Sequence, residues 1–340
     1  MERPRTRGDR RTGPYRLVTR LDPPGTAVPC HRFVARGGDE YGDGFGDGFG
    51  SGGEAGNRFA GEAGDQLGNG NGDRYGDGGR TVFLTAPLPG ADPTLFAAEA
   101  EAAHRYVGPW TAPVTDLAGP DPATGDAPWY ASPYVPALPL PVALAVHGGP
   151  LPETTVRAVG AALAEALAVA HAQGVTHAGV SPAAVLLTAD GPLLTCFGAV
   201  RAAGPDGTPR TGLPGLDPGA LAPEQAAGGR PRPPGDVYAL GAVLAFAATG
   251  HTVPEREELP SALRPLVSAC LSRDPADRPT AAALTSSLAP PSAHDTVLDS
   301  AGTLLTPGWL PGRVVAALAR QSAELLAAEL PVLPAQSTGP

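Results

Sequence analysis

The most informative feature of this sequence is an absence. None of its 340 residues is a lysine, so all 24 basic residues are arginines. The absence excludes a phosphate-binding loop of the G-x-x-x-x-G-K type, a lysine that forms a Schiff base, and an ammonium group that holds the phosphates of ATP. A GC-rich codon bias is the simplest reason for the preference for arginine, but it does not replace the missing ammonium group.

Cysteines and long apolar runs are also scarce. Cys30, Cys196 and Cys270 are the only cysteines and lie far apart, so neither a disulfide framework nor a zinc cluster is expected. The longest apolar run, residues 239–248, is shorter than the roughly 20 residues of a membrane span. Residues 1–14 also lack the apolar stretch of a signal peptide. From these observations together we expect a cytoplasmic protein with no membrane span and no bound metal.

Residues 37–80 differ in kind from the rest of the chain. They hold 18 glycines and nine acidic residues against three arginines, and they include the near-repeat YGDGFGDGFG. Such a segment cannot bury enough apolar surface to offset its chain entropy, so it is predicted to be a disordered insert. The first 16 residues carry six arginines, but no DNA-binding motif follows them, so we expect a solvated arm and no nucleic-acid partner.

The hydrophobic pattern elsewhere predicts strands first and helices later. Asp190 and Gly191 form the two-residue turn typical of a hairpin, here between strands 185–187 and 193–196. This order predicts an α+β fold with a small sheet-rich lobe and a larger helical lobe. The other predicted strands are 15–21, 31–36, 81–85 and 129–134, the last followed by a proline-rich connector, and the predicted helices are 93–105, 153–173, 236–249, 260–271, 280–288 and 313–330.

Four motifs in the middle of the chain resemble those of the bacterial (Hanks-type) serine/threonine protein kinases. They are HAQGVTHAGVSPAAVLLTADGPLLTCFGAV (171–200), ALAPEQ (220–225), GDVYALGAVLAFAATG (235–250) and LSRDPADRPT (271–280). The family has, in this order, H-R-D-x-K-x-x-N, D-F-G, A-P-E, an aspartate that opens a buried helix, and a late arginine. The resemblance implies the two-lobed protein kinase fold.

The positions to which the resemblance assigns the chemistry hold other residues here. Gly179 occupies the position of the catalytic base, and Ser181 occupies that of the loop lysine. The two magnesium-ligand positions are Ala184 and Cys196. The only carboxylate between residues 176 and 203 is Asp190, which we interpret as a turn residue of the hairpin.

The phosphate-binding parts of the smaller lobe also depart from the family. The lysine of the third strand aligns with Thr85, or with Leu84 if the register slips by one residue. The glycine-rich loop has prolines at positions 23 and 24, which removes N–H groups that would contact phosphates. The helix glutamate that pairs with the family's lysine is Glu99 or Glu101, and it has no lysine partner. Losing one charged group from such a site costs on the order of 3 kcal/mol of transition-state stabilisation.

Residues that hold the fold of this family together are retained. By resemblance, His177 and Phe197 pack in the core spine, and Gly198 is the glycine of the D-F-G position. The resemblance also implies that Glu224 and Arg278 form a buried ion pair and that Asp236 binds the backbone of the catalytic loop.

This division between lost and retained groups predicts a pseudokinase, which would serve as a protein-binding or regulatory scaffold without a cofactor. Two alternatives stay open: a divergent ATP- and magnesium-dependent serine/threonine protein kinase, and a nucleotide sensor without catalysis. The first of these alternatives has its best support in the hinge-like stretch 132–135, where Val135 offers an N–H to adenine. The sequence leaves the partner and the oligomeric state open.

The predicted domain organisation follows these composition changes. The helix near the end of the chain is the candidate partner surface, and it either docks on its own lobe or forms a dimer. The expected segments are a basic disordered arm (1–14), a kinase-like domain (15–289) with the insert 37–80, a linker (290–311), a C-terminal helix (312–331) and a disordered tail (332–340).

Overall fold

The computed structural model describes residues 11–23, 28–37, 80–255, 257–288, 305 and 308–329. Most of the predicted basic arm, nearly all of the insert 37–80, most of the linker 290–311 and the whole tail 332–340 lie outside the described residues.

The N-terminal part forms an antiparallel sheet. The strand at residues 31–37 alternates over its first four residues between less buried and buried positions, whereas the strands at residues 81–86 and 129–133 are buried at consecutive positions. The strand order in the sheet is β1-β2-β3-β4-β6-β5. The bounds are β1 Arg11–Thr12, β2 Tyr15–Arg20, β3 His31–Gly37, β4 Thr81–Ala86, β5 Asp116–Ala118 and β6 Trp129–Pro133.

One helix, α1 (Pro93–Arg105), packs against this sheet. Asp92 caps its N-terminus, because its carboxylate accepts hydrogen bonds from the backbone N–H groups of Thr94 (2.8 Å) and Leu95 (3.2 Å). The Phe96 ring stacks on Tyr130 of β6 at a centroid distance of 5.7 Å. The cap and the apolar contact together orient the helix that carries Glu99.

The C-terminal part is built around long buried helices. The centre is α3 (Glu153–Ala172), which packs against α6 and α8. A Cβ built on Gly160 would lie 2.7 Å from Leu244 Cδ2, so this glycine allows α3 and α6 to approach closely. Further helices of this part are α2 Leu140–His147, α4 Ala199–Ala203, α5 Pro223–Ala226, α6 Pro233–Thr249, α7 Arg264–Cys270 and α8 Ala281–Leu288.

A second, smaller sheet lies between the two parts. It has the order β7-β8-β9, with β7 at Ala137–Pro139, β8 at Val185–Thr188 and β9 at Pro192–Leu194. Strands β8 and β9 are the predicted hairpin. The architecture confirms the predicted α+β class with a small sheet lobe and a larger helical lobe.

Three of the differences from the prediction, one missed helix and two shifted helix starts, are explained by proline. The connector after residue 134 contains helix α2, since Pro141 lies in its first turn, where a missing N–H breaks no hydrogen bond. Helix α6 begins three residues before the predicted start, with Pro233 and Pro234 in its first turn. Helix α7 begins only at Arg264, because Pro265 occupies its first turn and residues 260–263 form a turn.

Among the described residues, α3 alone is long and apolar enough to cross a membrane. Its buried residues include Val159, Leu163 and Leu167, which belong to the main core cluster. Most of this helix is therefore covered by the protein itself.

The last helix, α9 (Gly312–Glu329), docks on its own chain. Val314 and Leu318 belong to the main core cluster, and Leu325 packs in a separate cluster near β7. The side-chain amide of Gln321 accepts a hydrogen bond from Ala137 N (2.9 Å) and donates one to Ala137 O (3.0 Å). Of the two alternatives left by the sequence, the structure therefore places this helix on its own lobe.

We expect Leu318→Ala to lower the free energy of unfolding by about 2–4 kcal/mol, because it opens a cavity under α9. The matched control is Leu326→Ala, since Leu326 is 61% exposed on the same helix, and its effect should stay within about 0.5 kcal/mol. Urea denaturation of both variants measures the difference. Equal effects would mean that α9 does not dock in solution.

Candidate functional site

A buried aspartate organises the loop at the centre of the cleft between the lobes. Asp236, on α6, accepts hydrogen bonds from the backbone N–H groups of His177 and Ala178, each at 2.8 Å. Nε2 of His171 lies 3.0 Å from the same carboxylate. These partners offset the cost of burying the charge. They hold the loop in one conformation, in which Ala178 has the unusual φ of +52°.

Gly179, the position aligned with the catalytic base, lies directly against a neighbouring segment. A Cβ built on it would be 1.8 Å from the carbonyl oxygen of Cys196 and 3.2 Å from the nitrogen of Ala199. Real Cβ atoms do not approach other atoms so closely, so a side chain here would force the backbone apart. The conformation therefore leaves no room for a carboxylate at this position.

The other aligned positions of the loop support local structure. Ser181 Oγ accepts a hydrogen bond from the N–H of Ala184 (3.3 Å) and caps the short 3₁₀ turn 182–184. Ala184 is fully buried, and its carbonyl oxygen accepts a hydrogen bond from Thr195 Oγ1 at 2.7 Å. Thr85 is buried on β4 opposite Tyr130. Within the described ranges, no group of three His, Cys, Asp or Glu side chains is arranged to hold a metal ion.

An arginine bridges the cleft where the sheet meets the segment before Cys196. Arg32 on β3 is 2% exposed, and its Nε donates a hydrogen bond to Asp22 Oδ2 at 2.9 Å, while Nη2 donates to Oδ1. Its Nη1 donates to Thr195 Oγ1 at 3.0 Å. The guanidinium is thus neutralised by a buried carboxylate of its own chain. Sequence reasoning missed this pair, although Arg32 shares a strand face with the buried Val34.

The cleft next to the predicted hinge is filled by an aromatic ring. Phe83 of β4 packs edge-on against Tyr134, with ring centroids 5.0 Å apart. The same cluster contains Leu186 of β8 and Leu325 of α9, and Val135 packs against it. The structure therefore places Val135 beside an apolar cluster that joins the two lobes.

The cavity that remains in the cleft is small. Its volume is about 30 Å³, room for a few water molecules. Phe83 and Thr85 line it from the sheet, and Leu186 and Cys196 line it from the other side. Val135 does not line it.

Glu99, the first candidate for the helix glutamate, binds an arginine. Arg201 on α4 donates from Nε to Oε1 and from Nη2 to Oε2 of Glu99, both at 2.8 Å. The second candidate, Glu101, is exposed and lies 3.8 Å from Arg105. The ion pair ties α1 to the segment that follows Cys196, and sequence reasoning did not identify Arg201 as the partner.

The residues aligned with the core spine lie together behind this ion pair. The rings of His177 and Phe197 meet edge to face at a centroid distance of 5.3 Å. Gly198 has a φ of +71°, and a Cβ on it would lie 2.0 Å from Glu99 Oε2. Glycine is therefore required here by both backbone conformation and space.

Two further arginines anchor the segment after α4. Arg278 binds Glu224 through two hydrogen bonds of 2.7 and 2.8 Å. Arg210 is fully buried, with Nη2 2.8 Å from Asp206 and other N–H groups donating to backbone carbonyl oxygens. The resemblance identified the first pair. The spacing of four residues between Asp206 and Arg210 was the only sequence signal for the second.

The curated relatives described here are all named as bacterial serine/threonine protein kinases. No family model matches the chain. It is 39% identical over 210 residues to the "Probable serine/threonine-protein kinase PkwA" of Thermomonospora curvata, a match that covers 57% of this chain and 28% of that protein. It is 36% identical over 238 residues to the serine/threonine-protein kinase AfsK of Streptomyces coelicolor, which covers 65% of this chain and 29% of that protein.

The solved structures extend the likeness in fold. The kinase domain of Mycobacterium tuberculosis PknI superposes with a TM-score of 0.54 at 22% identity, over 83% of this chain and 97% of that one. This similarity establishes the fold. The chain spans under a third of the length of the two curated relatives described above.

Burial lowers the pKa of His177 to about 4, so its imidazole is neutral in the folded protein. The unfolded chain binds this proton near pH 6.5, so the contribution is fully present above that value and is lost as pH falls toward 4. We expect the free energy of unfolding to drop by about 2 kcal/mol from this group between pH 7 and 5.

Urea denaturation at the two pH values measures this effect, and His177→Gln should remove that part of the pH dependence. His251→Gln is the matched control, because His251 is exposed. An unchanged pH dependence in His177→Gln would contradict the assignment.

Gly179→Ala and Gly179→Asp should each lower the free energy of unfolding by on the order of 3 kcal/mol, because the added Cβ collides with the Cys196 carbonyl. Gly119→Ala is the matched control, since a Cβ there meets no atom within 4 Å. Thermal and urea denaturation test the difference. A Gly179→Asp variant as stable as the parent would show that the loop readily accepts a carboxylate.

Proposed function

We propose that this chain, a homologue of the bacterial serine/threonine protein kinases that has their fold, is a pseudokinase: a protein-binding regulatory module that does not transfer phosphate. The observation that carries the proposal is the packing of Gly179 against the Cys196 carbonyl, which leaves no room for a catalytic base. The activities, substrates and partners of the much longer relatives are not carried over with the fold.

The metal-binding positions support the same conclusion. Phosphoryl transfer by a kinase depends on magnesium ions held by an aspartate and an asparagine. In this chain those positions are Cys196 and Ala184, both buried, and neither offers an oxygen ligand from its side chain. Among the described residues, no group of three His, Cys, Asp or Glu side chains is arranged to hold a metal ion, which supports a function that does not need Mg²⁺.

The packing inside the cleft supports the proposal that this protein does not bind a nucleotide. Phe83 lines the cavity and belongs to the cluster against which Val135 packs, so we infer that an adenine reaching the N–H of Val135 from inside the cleft would compete with the Phe83 ring for space. The phosphate end would have to separate Arg32 from Asp22, a buried ion pair whose loss leaves an uncompensated charge. The cavity between these two places has a volume of about 30 Å³ and room for a few water molecules.

The residues that hold the fold together are retained and paired, which argues for a folded protein that has a function. Asp236 satisfies the loop backbone, and Glu224 and Arg278 form a bidentate pair. Arg278 of this pair is buried and Glu224 is 32% exposed, so removing one partner should cost less than the roughly 3–5 kcal/mol typical of a fully buried pair. A scaffold that retains such groups while it lacks the phosphate-binding ones is suited to bind a protein partner. We propose that this binding takes place in the cytoplasm.

A divergent ATP-dependent kinase and a non-catalytic nucleotide sensor are the alternatives. The curated relatives are named as kinases, and Val135 retains a backbone N–H in the connection between β6 and β7. Each alternative predicts nucleotide binding, with magnesium for the kinase and without it for the sensor.

A thermal-shift titration separates the three functions. With ATP and magnesium, ATP with a chelator, and adenosine, each at about 5 mM, we expect the melting temperature of the full chain to change by less than about 1 °C. A magnesium-dependent rise, or transfer of labelled phosphate from ATP, would instead support the kinase. A rise that is independent of metal would support the sensor.

A substitution tests the physical reason for the expected result. Phe83→Ala removes the ring beside the hinge, so it should allow adenosine to raise the melting temperature by a measurable amount. Phe33→Ala is the matched control, because Phe33 packs in a different cluster on the sheet. A gain of binding in both variants would show that lower stability, rather than the opened space, admits the ligand.

A further inference from the structure

Two cysteines from the two lobes meet inside the cleft. Sγ of Cys30, in the segment that leads into β3, lies 3.5 Å from Sγ of Cys196, which follows β9. The two residues are 166 positions apart in sequence, and both are almost fully buried. Two thiols in contact across a domain cleft are the starting arrangement for a disulfide, whose sulfur atoms lie about 2.05 Å apart.

The surroundings of Cys196 favour the thiolate that begins such a reaction. Cys30 hydrogen-bonds to its sulfur, and the Arg32 guanidinium lies nearby, so the pKa of the Cys196 thiol is below its usual value. Thr195 Oγ1 lies 3.5 Å from the same sulfur. The thiolate is the nucleophile in thiol oxidation, so Cys196 is the more reactive member of the pair.

The cavity of the cleft distinguishes the two cysteines by access. Cys196 is among the residues that line it, whereas Cys30 is not. A cavity with room for a few water molecules admits a molecule as small as hydrogen peroxide. A peroxide in this space would therefore meet Cys196 first.

We propose that Cys30 and Cys196 form a redox modification site, in which a peroxide converts the two thiols into a disulfide that links the lobes. The Cys196 thiolate attacks one peroxide oxygen, the O–O bond breaks, and the departing hydroxide takes a proton to become water. The resulting sulfenic acid is attacked by the Cys30 sulfur, the S–O bond breaks, and the proton of Cys30 leaves with the hydroxide as a second water. Two thiols and one peroxide give one disulfide and two waters, and a thiol reductant reverses the change.

The disulfide would fasten the loop before β3 to the segment that carries Phe197 and Gly198. Both ends of this link flank the Arg32–Asp22 pair, so the oxidised protein would have its cleft locked in the closed form. A reducing cytoplasm would make the bond transient, which is the usual behaviour of sensing disulfides there. The chemistry depends only on the two cysteines and holds for either outcome of the nucleotide titration.

The test uses the full chain, reduced and then treated with increasing hydrogen peroxide. We expect an intact mass lower by two hydrogen atoms and, after cleavage at arginine without reduction, a cross-linked peptide that joins residues 21–32 to residues 158–201. Dithiothreitol should restore the original mass. The melting temperature should rise by on the order of 5–10 °C on oxidation, because a long loop is closed.

Three variants assign the roles of the cysteines. In Cys30→Ser, Cys196 should stop at the sulfenic acid, detected by dimedone, or proceed to higher oxides, because the second thiol is missing. In Cys196→Ser, Cys30 should stay reduced at the same peroxide concentration. Cys270→Ser is the matched control, since Cys270 is buried on α7 away from the pair, and it should form the disulfide as the parent does.

The proposal is overturned by any of three results in the parent protein. They are a disulfide that includes Cys270, a disulfide between two chains, and oxidation of Cys196 beyond the sulfenic acid with no loss of two hydrogens at any peroxide concentration.

Discussion

The arrangement of the cleft depends on one buried carboxylate. Asp236 accepts hydrogen bonds from the N–H groups of His177 and Ala178, and so holds the loop that follows in a fixed path. That path brings Gly179 against the carbonyl of Cys196 and lets Gly198 donate to the His177 carbonyl at 2.8 Å. Because the loop and the segment after β9 are tied to each other through backbone groups, their geometry does not require the catalytic side chains.

Charge inside the cleft is balanced by the chain itself. In an active kinase, lysine and magnesium neutralise the phosphates of the nucleotide. In this chain the Arg32 guanidinium is already paired with Asp22, and Glu99 is already paired with Arg201. Each pair is satisfied with good geometry, so no unpaired charge in these pairs calls for a ligand. Ion pairs within the chain thus satisfy the charged groups of the cleft, and the apolar packing around Phe83 fills the part next to the hinge.

Much of the fold was predictable from the sequence because its signals are local. The Asp-Gly turn predicted the β8–β9 hairpin, and the apolar periodicity predicted α3. Helix α2 was missed because Pro141 and the prolines around it were interpreted as marks of a connector, although a proline in the first turn is compatible with a helix. Likewise, proline in the first turn shifted the starts of α6 and α7.

The sequence by itself determined which groups are available: it contains no lysine, and its aligned positions place a glycine at 179 and a cysteine at 196. Only the tertiary structure decided what those groups touch. The contacts Arg32–Asp22, Glu99–Arg201 and Cys30–Cys196 are not encoded by local spacing, because each depends on where a strand, a helix or a loop of one lobe meets the other elements of the fold. Side-chain partners of this kind are set by packing in three dimensions, whereas residue type and periodicity are set along the chain.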